Sequence, residues 1–257
     1  MMKKLMIGLA ALIVIVGIGA YFMWANIDHI IKVAVERYGS AATQSEVSLG
    51  GVTLELASGQ GSLNGFRVAN PKGFSSGTAL SVGSIAVQLD TSSLRGSGPI
   101  VIRSVAIDKP QVIYELADNG ASNLQTIANN TRAYAAAMSG PQARNETTNS
   151  NGPGRKIVID DLVVRGGEVS VSQTMLKGRS LSAPLPVIRL TNIGKASGGA
   201  TAAQVADEVL GVITREASQV AASQFTGQLT GAVKGAVGGA VKDVGGVGGQ
   251  LKSLIGQ

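Results

Sequence analysis

The sequence predicts an α+β protein that is mainly β. The expected order is an N-terminal transmembrane helix, then repeated antiparallel β-hairpins forming a curved sheet or groove, then an amphipathic C-terminal helix. Three observations carry this reading. An uncharged run extends from Leu5 to Trp24; apolar residues alternate with period two across most of 47–190; and the spacing becomes helical over 201–225. Length supports one principal domain with appendages, since the chain has 257 residues, 44% of them hydrophobic. Three parts are expected: 1–25 as cytoplasmic lysines and anchor, 26–195 as the β domain, and 196–257 as a helix with a Gly-rich tail.

The first element is justified by length and flanks. Lys3 and Lys4 precede the run that begins at Leu5, and Tyr21, Phe22 and Trp24 stand at its far end. Twenty helical residues rise about 30 Å, the thickness of one hydrocarbon core. The lysines favour the cytoplasmic side and the aromatic residues an interfacial belt. A cleaved signal peptide is the alternative. The run exceeds the usual apolar length of such a peptide, about 7–15 residues, and no small-x-small pattern closes it. Whether the segment is cleaved is left open.

After Asn26 or Asp28 as cap, Ile27, Ile30, Ile31, Ala34, Val35 and Tyr38 share one helical face, and Gly39 is expected to stop that helix. Alternation then begins at Val47 and Leu49, with Gly50-Gly51 as a bulge or turn, and resumes at Val52, Leu54 and Leu56. Leu63, Phe66 and Val68 follow, closed by the turn residues Asn70-Pro71-Lys72-Gly73. Ile85, Val87 and Leu89 alternate, as do Ile100 and Ile102, Val105 and Ile107, and Val112, Tyr114 and Leu116. A helix is expected over Asn123–Met138 and a flexible loop over 139–156, which holds no large apolar residue. Strands return over Ile157–Val171 and near Leu181–Leu190. Residues 201–225 carry Val205, Val209, Ile213 and Val220 on one stripe.

An internal repeat runs through the strand region. A shift of 57 aligns Ile100, Val101, Ile102, Val105, Ile107, Val112 and Tyr114 with Ile157, Val158, Ile159, Leu162, Val164, Val169 and Val171. A fainter copy at a shift of 39 pairs Leu63, Phe66, Val68 and Pro71 with Ile102, Val105, Ile107 and Pro110. Repeated units of this kind build a sheet by stacking, and its apolar face has to be covered by helices, by a second sheet or by a lipid chain.

Composition narrows the chemistry. The chain has no Cys and one His, which excludes Cys/His zinc sites, thiolate catalysis and disulfides. Lys and Arg number 22 against 16 Asp and Glu, a net charge of +6 that suits acidic partners. No basic cluster is interleaved with aromatics, so nucleic acid is not expected as a partner. His29 lies just past the apolar run without a Ser/Asp pair to work with, and Asp160-Asp161 reads as a turn or exposed edge. No nucleophile, acid/base pair or phosphate loop is present. An enzyme is therefore not expected, nor a metal or cofactor.

The order of pieces resembles a known family. Val68-Ala69-Asn70-Pro71-Lys72-Gly73-Phe74 closes a strand pair. Ser84-Ile85-Ala86-Val87-Gln88-Leu89-Asp90 follows, then Ile100-Val101-Ile102-Arg103-Ser104-Val105-Ala106-Ile107-Asp108-Lys109-Pro110, then Ser122-Asn123-Leu124. With the N-terminal run this resembles the AsmA family of bacterial envelope proteins over roughly residues 1–195. The resemblance implies a single-pass anchor in the bacterial inner membrane, a periplasmic β-groove, and a part in envelope integrity through lipid handling. It supplies no catalytic residues. The chain is short for such a role, since about ten strands at about 4.8 Å give a groove of about 50 Å.

The leading expectation is thus a membrane-anchored envelope-biogenesis protein whose apolar groove handles phospholipid acyl chains. Candidate lining residues are Ile85, Val87, Leu89, Ile102, Ile107, Val112, Tyr114, Ile159, Val164, Val169 and Val171. The alternative is a scaffold or assembly factor that binds other envelope proteins and no lipid. In the tail, Gly227, Gly231, Gly235 and Gly239 recur every four residues, a spacing that lets helix backbones approach closely. Each interior Gly costs about 1 kcal/mol against Ala, so a tail helix is expected to need lipid, a partner helix or the sheet face. A disordered tail is the alternative.

Overall fold

The computed structural model describes residues 27–75, 77–117, 119–139, 155–173 and 180–224. The expected anchor (Lys3, Lys4, Leu5, Tyr21, Phe22, Trp24), most of the 139–156 loop and the tail glycines lie outside the described residues. Among the described residues the protein is mixed α/β, with one mainly antiparallel sheet of ten strands and three helices. No described helix is long and apolar enough to cross a membrane.

The chain runs α1 (Ile27–Thr43), β1 (Val47–Ser48), β2 (Gly51–Glu55), β3 (Gln60–Ala69), β4 (Thr78–Leu89), β5 (Ile100–Asp108) and β6 (Gln111–Leu116). It continues through α2 (Asn123–Ser139), β7 (Ile157–Arg165), β8 (Glu168–Gln173), β9 (Ser180–Pro184) and β10 (Ile188–Ile193) to α3 (202–224). α1 is longer than its sequence suggests. Gly39 does not stop it, because the residue serves packing instead: a Cβ there would meet Val47 Cγ1 at 3.0 Å. The helix ends at Thr43, where Gln44 turns left-handed at φ 51°.

α3 opens with a reciprocal capping box. The Gln204 N–H donates to Thr201 Oγ1 (3.2 Å) and the Thr201 N–H to Gln204 Oε1 (2.8 Å). α2 is capped by Ser122, whose Oγ accepts the Gln125 N–H at 3.1 Å.

The registers resolve the ten strands into six long ones. β1 and β2 pair with β3 along one unbroken register, so Gly50-Gly51 inserts no extra residue and is not a bulge. β4 pairs with β3 on one side, and with β6 then β5 on the other. β5 pairs with β7 and β6 with β8, while β10 and β9 pair with β7 and β8 respectively. Extending these registers places Gly50, Gly65, Gly83, Lys109, Gly166 and Pro186 on a single seam across the sheet. Three of the six are left-handed: Gly65 (φ 64°), Lys109 (φ 52°) and Gly166 (φ 64°).

At this seam the alternation changes phase. Ile107 and Val112, or Val164 and Val169, are separated by odd spacings yet join the same core. In a regular strand, odd spacing would place them on opposite faces.

The repeat at a shift of 57 is the strand register itself. Ile100 lies beside Ile157, Val105 beside Leu162, Val112 beside Val169 and Tyr114 beside Val171. The pairing corrects the expected hairpin stack, because the two copies run parallel. After β6 the chain leaves through α2 and returns at Ile157 beside Ile100, the long crossover that parallel strands need. The shift of 39 has no counterpart in the pairing, since Leu63 stands in a row with Ile85 and Ile107. Antiparallel hairpins do join β2–β3, β3–β4, β4–β5 and β8–β9. Asp160 and Asp161 are neither turn nor edge; they sit inside β7, between β10 and β5.

Candidate functional site

The apolar sheet face is the expected site, and the helices lie on it. Ile213 and Ala217 of α3 and Leu124 and Ile127 of α2 are buried in one cluster with Leu80, Val105, Val112, Val164 and Val169. Val205, Val209, Leu210 and Val220 pack against that cluster. The stripe foreseen on 201–225 is therefore the stripe that covers the sheet.

Each candidate lining residue can now be placed. Val112, Val164, Val169 and Val171 are wholly buried, and Ile107 and Ile159 nearly so. Ile85, Ile102 and Tyr114 are half-buried and packed on the core. Val87 and Leu89 are half-buried outside it. Together with Val52, Leu54 and Leu63 of β2 and β3, these two form a strip continuing the core face. Val52 lies opposite Leu63 and Leu63 opposite Ile85, while Val87 lies beside Val105. The void under the helices, between Val68, Leu80, Val112, Leu124, Ile127 and Ile213, is about 10 Å³. That is room for about one water. A larger hollow of about 550 Å³ lies between α2 and α3 and is lined by Gln125, Ala128, Arg132, Gly211, Thr214 and Arg215 among other helix residues.

No family model and no curated protein matches the chain.

Two residues of the segments that carry the family resemblance, Asn70 and Asn123, meet in space. Asn123, wholly buried at the start of α2, uses its Oδ1 to accept the Glu115 N–H (2.9 Å) and its Nδ2 to donate to Asn70 Oδ1 and Ile113 O (both 2.7 Å). The Glu115 carboxylate, 6% exposed, accepts from Asn70 Nδ2 (3.1 Å), the Ser75 N–H (2.7 Å) and Ser75 Oγ (2.5 Å). The clasp ties the β3–β4 turn, β6 and α2 into one unit. Its carboxylate is held by neutral donors from the turn, which satisfies the burial of a charge without a cation. Its role is structural. Sequence reasoning quoted Asn70 and Asn123 but missed Glu115, whose only signal was a charge inside an otherwise apolar alternation.

The outer side of the sheet carries ion pairs. Arg165 pairs with Asp108 across β7 and β5, Arg189 with Asp161 (2.7 Å) across β10 and β7, and Arg103 with Asp90 (3.1 Å). The Arg165 hydrogen bond holds the Asp108 carboxyl below its ordinary range, and the Ser92 hydroxyl, then Arg103, does the same for Asp90. The arginines are exposed and the carboxylates only partly buried, so each pair contributes little to stability. His29 is exposed on α1. Among the described residues no three potential metal ligands converge.

Proposed function

We propose that the chain is a single-pass envelope protein, held in a bacterial inner membrane by Leu5–Trp24 with its sheet in the periplasm. Of the two expected uses, the scaffold for other envelope proteins is the better supported. One observation carries that choice: α2 and α3 cover the centre of the apolar face, and the void beneath them between Val68, Leu80, Val112 and Leu124 is about 10 Å³. An acyl chain has no room there unless α3 leaves, so the buried candidates act as core. The polar outer side and the helix pair then remain as the surfaces that meet partners.

A second reading is favoured by the strip Val52, Leu54, Leu63, Val87 and Leu89, which the core cluster leaves half-exposed. Phospholipid acyl chains lying along it would gain about 0.8 kcal/mol per CH₂ removed from water. Photocrosslinking amino acids at Val87 and Leu89 of the full chain, in cells, separate the two. Protein adducts support the scaffold, and phospholipid adducts found by mass spectrometry support acyl handling. No lipid adduct at either position would sink acyl handling, and no protein adduct at either position or at the same label placed on exposed Arg103 of the outer side and exposed Gln219 of α3 would sink the scaffold. Alkaline carbonate extraction tests the anchor: release of the full chain would overturn it.

A further inference from the structure

We propose that the exposed face of α1 lies on an anionic lipid surface, as an interfacial helix that sets the height and tilt of the sheet above the membrane. The inference rests on the anchor reading above and extends it to a second contact. Five large apolar residues are strongly exposed among the described residues, and three of them, Ile30 (46%), Val33 (45%) and Tyr38 (48%), are on this one helix.

The adjoining side of α1 is committed to the protein body. Lys32 Nζ donates to Leu49 O, and Glu36 Oε1 accepts the Leu49 N–H at 2.9 Å. Ser40 Oγ accepts the Val47 N–H at 2.9 Å, and Thr43 O accepts from Asn130 Nδ2 at 3.0 Å. These attachments, three or four residues apart, fix the rotation of the helix about its axis. The exposed stripe is therefore held in place and left without a partner among the described residues.

Charge and chain length identify the occupant. The six exposed residues of α1 are His29, Ile30, Val33, Arg37, Tyr38 and Ala41. They include a cation and a histidine but no acid; Asp28 and Glu36 are half-buried, and Glu36 is engaged by Lys32 and the Leu49 N–H. An apolar stripe bearing Arg and Tyr matches the boundary between acyl chains and anionic headgroups, where the Arg stem lies in the apolar layer and its charge reaches phosphate.

Only Ala25 and Asn26 separate Trp24, at the end of the apolar run, from the first residue of α1. So short a link spans about 10 Å at most, which places the first turn of α1 in or at the headgroup layer. The six-residue step from Trp24 to Ile30 keeps that side chain equally close.

The chain has no Cys, so single substitutions give unique labels. Full-length Ile30→Cys, Val33→Cys, Tyr38→Cys and, as an exposed control on the β2–β3 turn, Ser58→Cys would each carry a nitroxide. They would be placed in phosphatidylcholine vesicles containing about one quarter phosphatidylglycerol. Relative accessibility to oxygen and to a water-soluble nickel chelate gives depth. The expected result is oxygen-favoured, chelate-protected labels at 30, 33 and 38 at one shallow depth, with 58 open to the chelate.

Chelate access at all three sites equal to that at 58, in a chain that resists carbonate extraction, would overturn the inference and leave the anchor standing. Depth that decreases steadily from 30 to 38 means an upright helix and overturns it as well. Protection that grows with the protein-to-lipid ratio points to a second copy on this face, with the same consequence. A chain stripped off by carbonate removes the anchor reading, and the inference with it.

Discussion

At the scale of single residues, the clasp around Glu115 has the most to lose. Its carboxylate, 6% exposed, accepts three donors. In Glu115→Gln an amide NH₂ would face those donors, leaving at least one buried group unpaired. The loss expected is about 1–3 kcal/mol, read as a lower urea midpoint with an unchanged slope.

Asp108 makes the contrasting case on the surface. Its carboxyl is held below the ordinary value chiefly by the Arg165 hydrogen bond. A folded-state value below the unfolded one contributes stability that is present above about pH 4 and lost as pH falls through the folded value. Asp108→Asn should therefore melt slightly below the parent at neutral pH, and the gap should close as the solution is acidified below about pH 4. A gap that persists at pH 2 would contradict the assignment. The sequence made Asn70 and Asn123 visible as parts of two motifs. It could not show that they touch, because their contact is made only once α2 folds back onto the β3–β4 turn.

At the scale of elements, helices and strand faces were legible where one period prevailed. α2 and α3 begin within a residue of their expected starts because their stripes are uninterrupted and both have capping residues. α1 was misjudged at Gly39, since a glycine that makes room for Val47 looks the same in sequence as one that ends a helix. The seam was written in the spacing too. Val82 to Ile85 and Ile107 to Val112 are odd steps, which a period-two reading takes as gaps between separate strands.

Two glycines test how far local environment decides their worth. A Cβ on Gly167, beside the seam, would sit 2.8 Å from Pro110 Cγ and 3.1 Å from Leu185 Cδ2. Gly167→Ala should cost about 1–3 kcal/mol through overpacking. Gly211, in α3, has nothing within 4 Å of that position, so Gly211→Ala should raise stability by about 0.5–1 kcal/mol. Thermal melts of both variants would check the opposite signs.

At the scale of the whole molecule, α3 decides whether the sheet has an open face. Ile213, 4% exposed, sits at the centre of that cover. Ile213→Ala should cost about 2–4 kcal/mol. Ile213→Asp should loosen the helix from the sheet, raising binding of a hydrophobic dye in an otherwise folded chain. No change in dye binding would mean that the remaining contacts of α3 suffice to hold it.

The apolar face itself was legible from alternation, but its covering was not. Alternation reports which side of a strand is oily and says nothing of whether lipid or protein meets it. The parallel offset of 57 between β5–β6 and β7–β8 has a consequence for how such a chain lengthens. Each copy presents its neighbour with the same edge it received, and the strand formed by β9 and β10 ends the series by running the opposite way with Pro184 and Pro186 in its path. A tandem duplication of one copy with its crossover, inserted ahead of Ile157, would widen the molecule by one long strand, about 4.8 Å, and leave both ends as they are.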